Sequence, residues 1–221
     1  VSNAELAVGS NTISVIGSSD INSVLTLSTG KFDADGDYDA TGATVNLTGS
    51  GSIELGATVT DMGAFTVTSN NGKVKFDQAT GVQVIPFNSK AAQGDYVDLI
   101  VAGGDKELGG DAKVTGDLQF TSDLTMDLDG NVLTLLNSPT GSTSARYIYD
   151  GSLGKNGSVV FASDASHTEI TIPIGAAATG KREVSITNNV ASSNDYTIKY
   201  ISGTPVALDW STHTAGVPIN G

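Results

Sequence analysis

The chain has 221 residues, 24 acidic against 11 basic side chains, a formal net charge of −13 and no cysteine. That length supports one large all-β domain or two smaller ones with a sizeable core. The charge argues against nucleic acid and against anionic membrane surfaces, and the missing cysteines exclude disulfide frameworks and thiolate metal sites.

Residues 1–19 open with two alternating apolar pairs, Leu6/Val8 and Ile13/Val15, split by Gly9-Ser10-Asn11. They are expected to form an N-terminal strand or cap. From Leu25 to Leu136 short runs alternate apolar with polar: Thr44-Val45-Asn46-Leu47, Ser52-Ile53-Glu54-Leu55, Phe65-Thr66-Val67, Lys73-Val74-Lys75-Phe76 and Asp117-Leu118-Gln119-Phe120. Each is fenced by glycine-rich turn pairs, the signal of half-buried strands. Repeats begin near Ile21, Ala43, Ala64, Tyr96 and Asp117, at intervals of 22, 21, 32 and 21 residues. The long interval holds Gln78–Gly94, read as a loop inserted into one repeat.

Near-constant spacing predicts a right-handed parallel β-solenoid over residues 20–137, each turn stacking on the next at about 4.8 Å. A β-sandwich with strands every 8–12 residues is the alternative. The solenoid reading places Leu47, Ile53, Leu55, Phe65, Val67, Val74, Phe76, Leu99, Val101, Val114, Leu118, Phe120, Leu128 and Leu133 inside. Residues 138–142, following Asn137, read as a linker because Pro139 and Gly141 interrupt strand pairing. Over 143–221, runs around Arg146–Tyr149, Ser158–Ala162, Glu169–Ile174, Glu183–Thr187 and Tyr196–Ile201 predict a small antiparallel β-sandwich-like module. Its tail carries Val206, Leu208 and Trp210 at alternate positions, which predicts a last strand. Charge divides along the same line. Residues 1–140 hold 18 acids and 6 bases; residues 141–221 hold 6 and 5.

Several segments carry a resemblance. Leu25-Thr26-Leu27-Ser28-Thr29-Gly30 with Phe32-Asp33-Ala34-Asp35-Gly36, the run Tyr96–Leu118, Asp127-Leu128-Asp129-Gly130-Asn131-Val132-Leu133-Thr134-Leu135, and Ile172-Pro173-Ile174-Gly175 with Lys181–Asn189 resemble repeats of the large secreted and surface-displayed solenoid proteins of Bacteroidota. The likeness covers roughly residues 20–201. It implies an extracellular protein of the cell surface, adhesive or structural, built on a parallel β-helix. It supplies no catalytic residues. The "YPNP"-like motif of the secretion domain that often ends such proteins is not visible after Ile201.

Asp33, Asp35, Asp37 and Asp39 form the sharpest side-chain cluster. Alternate strand positions share a face about 7 Å apart, too wide for one calcium ion unless Gly36 bends the chain or a neighbouring turn adds carboxylates. The run also departs from an EF-hand loop, with Tyr38 at the sixth position and Thr44 at the twelfth. A Ca²⁺ site is one reading; a solvated acidic face that blunts edge pairing is the other. Asp127, Asp129 and Asn131 form a weaker copy. No cofactor is otherwise expected. His167 and His213 lack ligand or serine partners at motif spacing, the two arginines, Arg146 and Arg182, lie beyond the solenoid, and Trp210 is a candidate partner anchor.

The expected function is therefore non-catalytic, a structural or adhesive protein with the solenoid as a stiff spacer. The alternatives are a self-assembling filament subunit joined head to tail by exchange of a terminal strand, and a carbohydrate-active β-helix enzyme. The expected partners are further copies of the chain or a surface glycan, without nucleic acid or membrane insertion.

Overall fold

The computed structural model describes residues 4–68, 71–86, 95–151, 156–176, 180–189, 193–201 and 204–209, and these form strands and connections with no helix. Three strands make one turn of a parallel β-solenoid. The first turn is β1 (Glu5–Val8), β2 (Thr12–Val15) and β3 (Ser19–Asp20), and the second is β4 (Val24–Leu27), β5 (Lys31–Ala34) and β6 (Tyr38–Asp39). The third comprises β7 (Thr44–Leu47), β8 (Ser52–Leu55) and β9 (Val59–Asp61), and the fourth β10 (Ala64–Val67), β11 (Lys73–Phe76) and β12 (Gln83–Ile85). The fifth has β13 (Asp95–Tyr96), β14 (Asp98–Val101) and β15 (Lys106–Leu108), and the sixth β16 (Ala112–Val114), β17 (Leu118–Phe120) and β18 (Thr125–Asp127).

The stack then tapers. β19 (Val132–Leu135) and β20 (Tyr147–Tyr149) form a turn whose middle face is held by a single parallel bridge, Gln119 to Thr140. β21 (Ser158–Ser163) and β22 (Glu169–Ala176) follow, and β23 (Gly180–Thr187), β24 (Asn194–Ile201) and β25 (Thr204–Asp209) close the end in antiparallel register.

The first face carries β1-β4-β7-β10 and then β13-β16-β19-β21-β24-β25; the second carries β2-β5-β8-β11-β14-β17. The third carries β3-β6-β9 and then β12-β15-β18-β20-β22-β23. Beyond the solenoid the first and third faces continue as two facing sheets, and Phe161, Ile170, Ile172, Ile186 and Ile198 are buried. That is the sandwich-like module.

The alternating pattern fixes which side of each strand is inside. β4, β5, β7 and β8 all place their second and fourth residues in the core. Pairing without slippage stacks these residues into columns: Leu6, Leu25, Val45 and Phe65 on the first face; Ile13, Phe32, Ile53, Val74, Leu99 and Leu118 on the second. A one-residue slip would turn every such side chain outward, so the columns hold the register.

Of the expected core residues only Val67 is not fully buried. It is the last residue of β10, and β13 in the following turn is two residues long. The Tyr96 ring of β13 lies 6.2 Å from that of Phe65, which leaves Val67 half-covered.

Four segment assignments read differently in three dimensions. Within Gln78–Gly94, expected as an inserted loop, Gln83–Ile85 is the strand β12, paired in parallel with β15. Within residues 1–19, expected as an N-terminal strand or cap, β1, β2 and the start of β3 pair in parallel with the second turn on all three faces and form the first turn. The stretch 138–142, expected as a linker, lies on the stack: the Thr140 amide donates to the Leu118 carbonyl at 2.8 Å, and the Thr140 carbonyl accepts from the Phe120 amide at 2.9 Å. Pro139 lacks an N–H, but a one-residue bridge at Thr140 needs none from it. The repeat start at Asp117 falls at the head of the second face, whereas Tyr96 lies on the first. The sixth turn begins at Ala112.

Leu118 is fully buried in β17, and an aspartate there would be desolvated without a partner, at a cost of several kcal/mol. We expect Leu118→Asp to abolish the cooperative melting transition, and Gln119→Lys, on the outer side of the same strand, to retain it. Retention by both, followed by circular dichroism, would contradict the register.

Candidate functional site

The four aspartates of 33–39 do not converge. Asp33 lies on the outer side of β5, 2.9 Å from the Lys31 ammonium. Asp35 is an exposed corner residue. Asp37 accepts a hydrogen bond from the Thr58 amide in the next turn at 3.3 Å. Asp39 accepts from the Thr41 hydroxyl at 2.6 Å and the Thr41 amide at 2.8 Å, and these two donors hold its carboxyl below the usual range. Among the described residues no three histidine, cysteine, aspartate or glutamate side chains are grouped to hold a metal ion.

The copy at 127–131 builds a corner instead. Asp129, with φ 47°, and Gly130, with φ 83°, are the central residues of a tight turn closed by the Asn131 amide on the Leu128 carbonyl. Asp127 accepts from the Asp129 amide at 2.9 Å and from the Gly151 amide at 3.0 Å. The Asn131 side-chain amide donates back to the Leu108 carbonyl.

This use of carboxylates recurs along the stack. At corners the chain leaves the sheet ladder, and amides there lose strand partners. Asp98 accepts from the Asp117 amide, Asp105 from the Thr125 amide and hydroxyl, and Asp111 from the Val132 amide. Asp150 reaches back to the Gly130 amide. Each ties one turn to its neighbour, and together they give much of the acidity a structural role.

A second ionic feature runs across the outside of the second face. The Lys31 ammonium lies 2.9 Å from Asp33 and 3.3 Å from Glu54; the Lys75 ammonium lies 3.4 Å from Glu54 and 2.8 Å from Asp77. The hydrogen bond to Asp33 is the main reason the Lys31 pKa is raised. For Lys75 burial works against the charge, and the Asp77 and Glu54 carboxylates outweigh it. Partly exposed pairs of this kind stabilise only modestly, and a network does so more than isolated pairs.

The least expected groups are inside. Lys106 is 1% exposed, and its ammonium donates to the carbonyls of Ala102 and Gly104, each at 2.6 Å. Burial pushes its pKa down to about 8, against the opposing pull of Asp77 and Asp105. One turn earlier Gln83 occupies the matching position and donates to the carbonyls of Leu55 and Ala57. Both plug carbonyls at the corner where the chain leaves the second face. Sequence reasoning missed them, although the signal is there: alternation puts Lys106 on the side of Leu108, and Gln83 on the side of Ile85. Gly103 makes the same corner possible. It has φ +73°, and a Cβ there would overlap the Gln78 carbonyl.

Of the remaining candidates, His167 turns its Nδ1 to Asp164 at 2.9 Å within the connection between β21 and β22. Arg146 donates to Asp123 at 2.8 Å, and Arg182 lies on β23. Trp210 and His213 lie outside the described residues. No helix among the described residues is long and apolar enough to cross a membrane.

No family model matches the chain, and neither the curated proteins nor the solved structures provide a match to it. The likeness to Bacteroidota surface solenoids therefore rests on the sequence motifs alone.

Two outcomes follow from this placement. Asp105→Ala removes two inter-turn bonds and is expected to cost about 1–2 kcal/mol in denaturant melts, against less than about 0.5 kcal/mol for exposed Asp35→Ala; equal costs would contradict the corner role. For Lys106 the folded pKa lies below the unfolded one, so its contribution to stability is present above about pH 10.5 and is lost as pH falls through about 8. Wild type should gain in melting temperature relative to Lys106→Met between pH 7 and pH 9.5, and a constant difference would contradict a buried ammonium.

Proposed function

We propose that this chain is a non-catalytic structural or adhesive protein of the bacterial cell surface, in which the solenoid is a stiff spacer. The observation that carries the reading is the unbroken core, which runs from Val8 and Leu25 in the first turns to Ile186 and Ile198 at the far end. A rod whose turns share one core and are tied at their corners resists bending and local opening, because no turn can bury its apolar side alone. The acid-rich surface of the solenoid suits a protein that must stay soluble outside the cell. The repeat motifs shared with secreted solenoids favour the same location. A surface glycan is the partner this reading implies.

The test is display of the chain on a bacterial surface, assayed over immobilised glycans and over soluble acidic polysaccharides with and without Ca²⁺. The reading predicts retention on a glycan surface or mechanical spacing without product. Release of reducing ends or unsaturated sugars would overturn it in favour of a carbohydrate-active enzyme. Calcium is tested in the same preparation. The separate placement of Asp33, Asp35, Asp37 and Asp39 predicts no rise in melting temperature at millimolar Ca²⁺, whereas a rise lost in Asp35→Asn plus Asp37→Asn would establish a site there.

A further inference from the structure

One join within the stack is made differently from its neighbours. On the third face β9 pairs with β6, and β12 pairs with β15. β9 and β12 themselves belong to separate sheets, so among the described residues no strand ladder joins the third turn to the fourth on this face. The second face has no such gap, because β8, β11 and β14 pair residue for residue through the same turns. The cause lies in the corner before β12. Six residues, 77–82, lead from β11 to β12, against three, 56–58, one turn earlier and four, 102–105, one turn later. The extra length lets β12 leave the line that β9 sets while β11 keeps its place in the ladder.

A side chain spans the gap. Gln83 opens β12 and is 1% exposed, and its Nε2 donates to the third-turn carbonyls of Leu55 at 2.8 Å and Ala57 at 2.7 Å. Its Oε1 accepts from the Gln78 amide at 3.1 Å, which fixes the carboxamide from within its own turn. Its backbone amide faces the other way and donates to the Asp105 carbonyl in the fifth turn. Lys106 is the contrast. It is the register partner of Gln83 in the next turn and just as buried, yet its ammonium donates to Ala102 and Gly104 inside its own turn. There a backbone ladder already ties β15 to β12. Both side chains occupy corner carbonyls, and of the two only Gln83 links one turn to another by doing so.

We propose that the seam between β9 and β12 is where the stack opens first, and that Gln83 is the clasp that holds it closed. Opening there breaks side-chain hydrogen bonds where neighbouring turns would have to break a strand ladder. It uncovers Val59 and Ile85, the apolar residues of the two strands, which are buried while the seam is shut. β11 stays paired on both sides, so the second face carries the motion and keeps the two blocks joined. Cooperative units of a fold part where few bonds cross between them. The opened seam presents two facing strand edges, the kind of surface that closed folds keep covered. This goes beyond the spacer reading and does not rest on it, since the seam belongs to the stack whatever the outer faces bind.

The experiment is thiol labelling of the folded 221-residue chain, which has no cysteine of its own. Val59→Cys and Ile85→Cys report on the seam. Ile53→Cys and Val74→Cys, the same residue types on the second face of the same two turns, report on the rest of the stack. Ile85 and Ile53 are 1% and 0% exposed, so a difference between them measures opening rather than surface. Without denaturant, Ile85→Cys should label about tenfold faster than Ile53→Cys or more, and Val59→Cys faster than Val74→Cys. Adding Gln83→Met removes both donors and should raise the two seam rates by about tenfold, as expected for two lost hydrogen bonds, with the second-face rates nearly unchanged. Circular dichroism checks folding, and if Gln83→Met does not fold, the four single variants decide. Equal rates for Ile85→Cys and Ile53→Cys would overturn the seam. A common rise of all four rates on adding Gln83→Met would overturn the clasp, since Gln83 would then support the whole stack.

Discussion

Parallel stacking in fixed register is the constraint on which the rest of this molecule depends. Each turn offers strands of only two to four residues through the six complete turns, too short to be stable alone. Their apolar sides are buried only because the same positions recur above and below. The first-face pairs Glu5–Val24, Val24–Thr44 and Thr44–Ala64 set repeats of 19, 20 and 20 residues. The corners absorb what the strands cannot, and the fourth turn accommodates its longer connection while β11 stays in register with β8 and β14.

The polar chemistry serves that constraint. Corner carboxylates satisfy amides of the adjacent turn, Asn131 and Asn137 donate to carbonyls one turn back, and from inside the core Gln83 does the same while Lys106 donates to carbonyls at the corner of its own turn. Of the groups a function-minded reading would pick first, Asp33, Asp37, Asp39 and Lys106 each have a partner within the fold. A buried ammonium costs more than an apolar side chain of its size. Here it offsets that cost by occupying two carbonyls that would otherwise face the core.

Much of the fold was legible in the sequence because alternation of period two reports directly on which side is buried. Leu47, Ile53, Leu118 and Leu133 could be placed that way without knowing their neighbours. What alternation cannot report is which face a strand belongs to. Glycine-fenced runs look alike, so Asp117 passed for the start of a turn when it lies at the second face, and residues 1–19 were read as a strand or cap when their strands belong to the first turn. The aspartate run shows a related limit. Spacing places side chains along one strand, whereas Asp37, Asp98 and Asp105 find their partners 19 to 21 residues away, in another turn. Those partners become visible once the register is known.

The absence of cysteine makes the register directly measurable, since any introduced pair is the only pair. Ala7, Thr26, Asn46 and Thr66 form one outward column on the first face, in successive turns. Neighbours in such a column lie about 4.8 Å apart, within disulfide reach, and alternate members lie about twice as far, beyond it. Ala7→Cys with Thr26→Cys, and Thr26→Cys with Asn46→Cys, should each oxidise to an intramolecular disulfide in the folded protein, while Thr26→Cys with Thr66→Cys should stay reduced. A Thr26/Thr66 disulfide, or failure of both adjacent pairs in a folded chain, would contradict the stacked register from which every other conclusion follows.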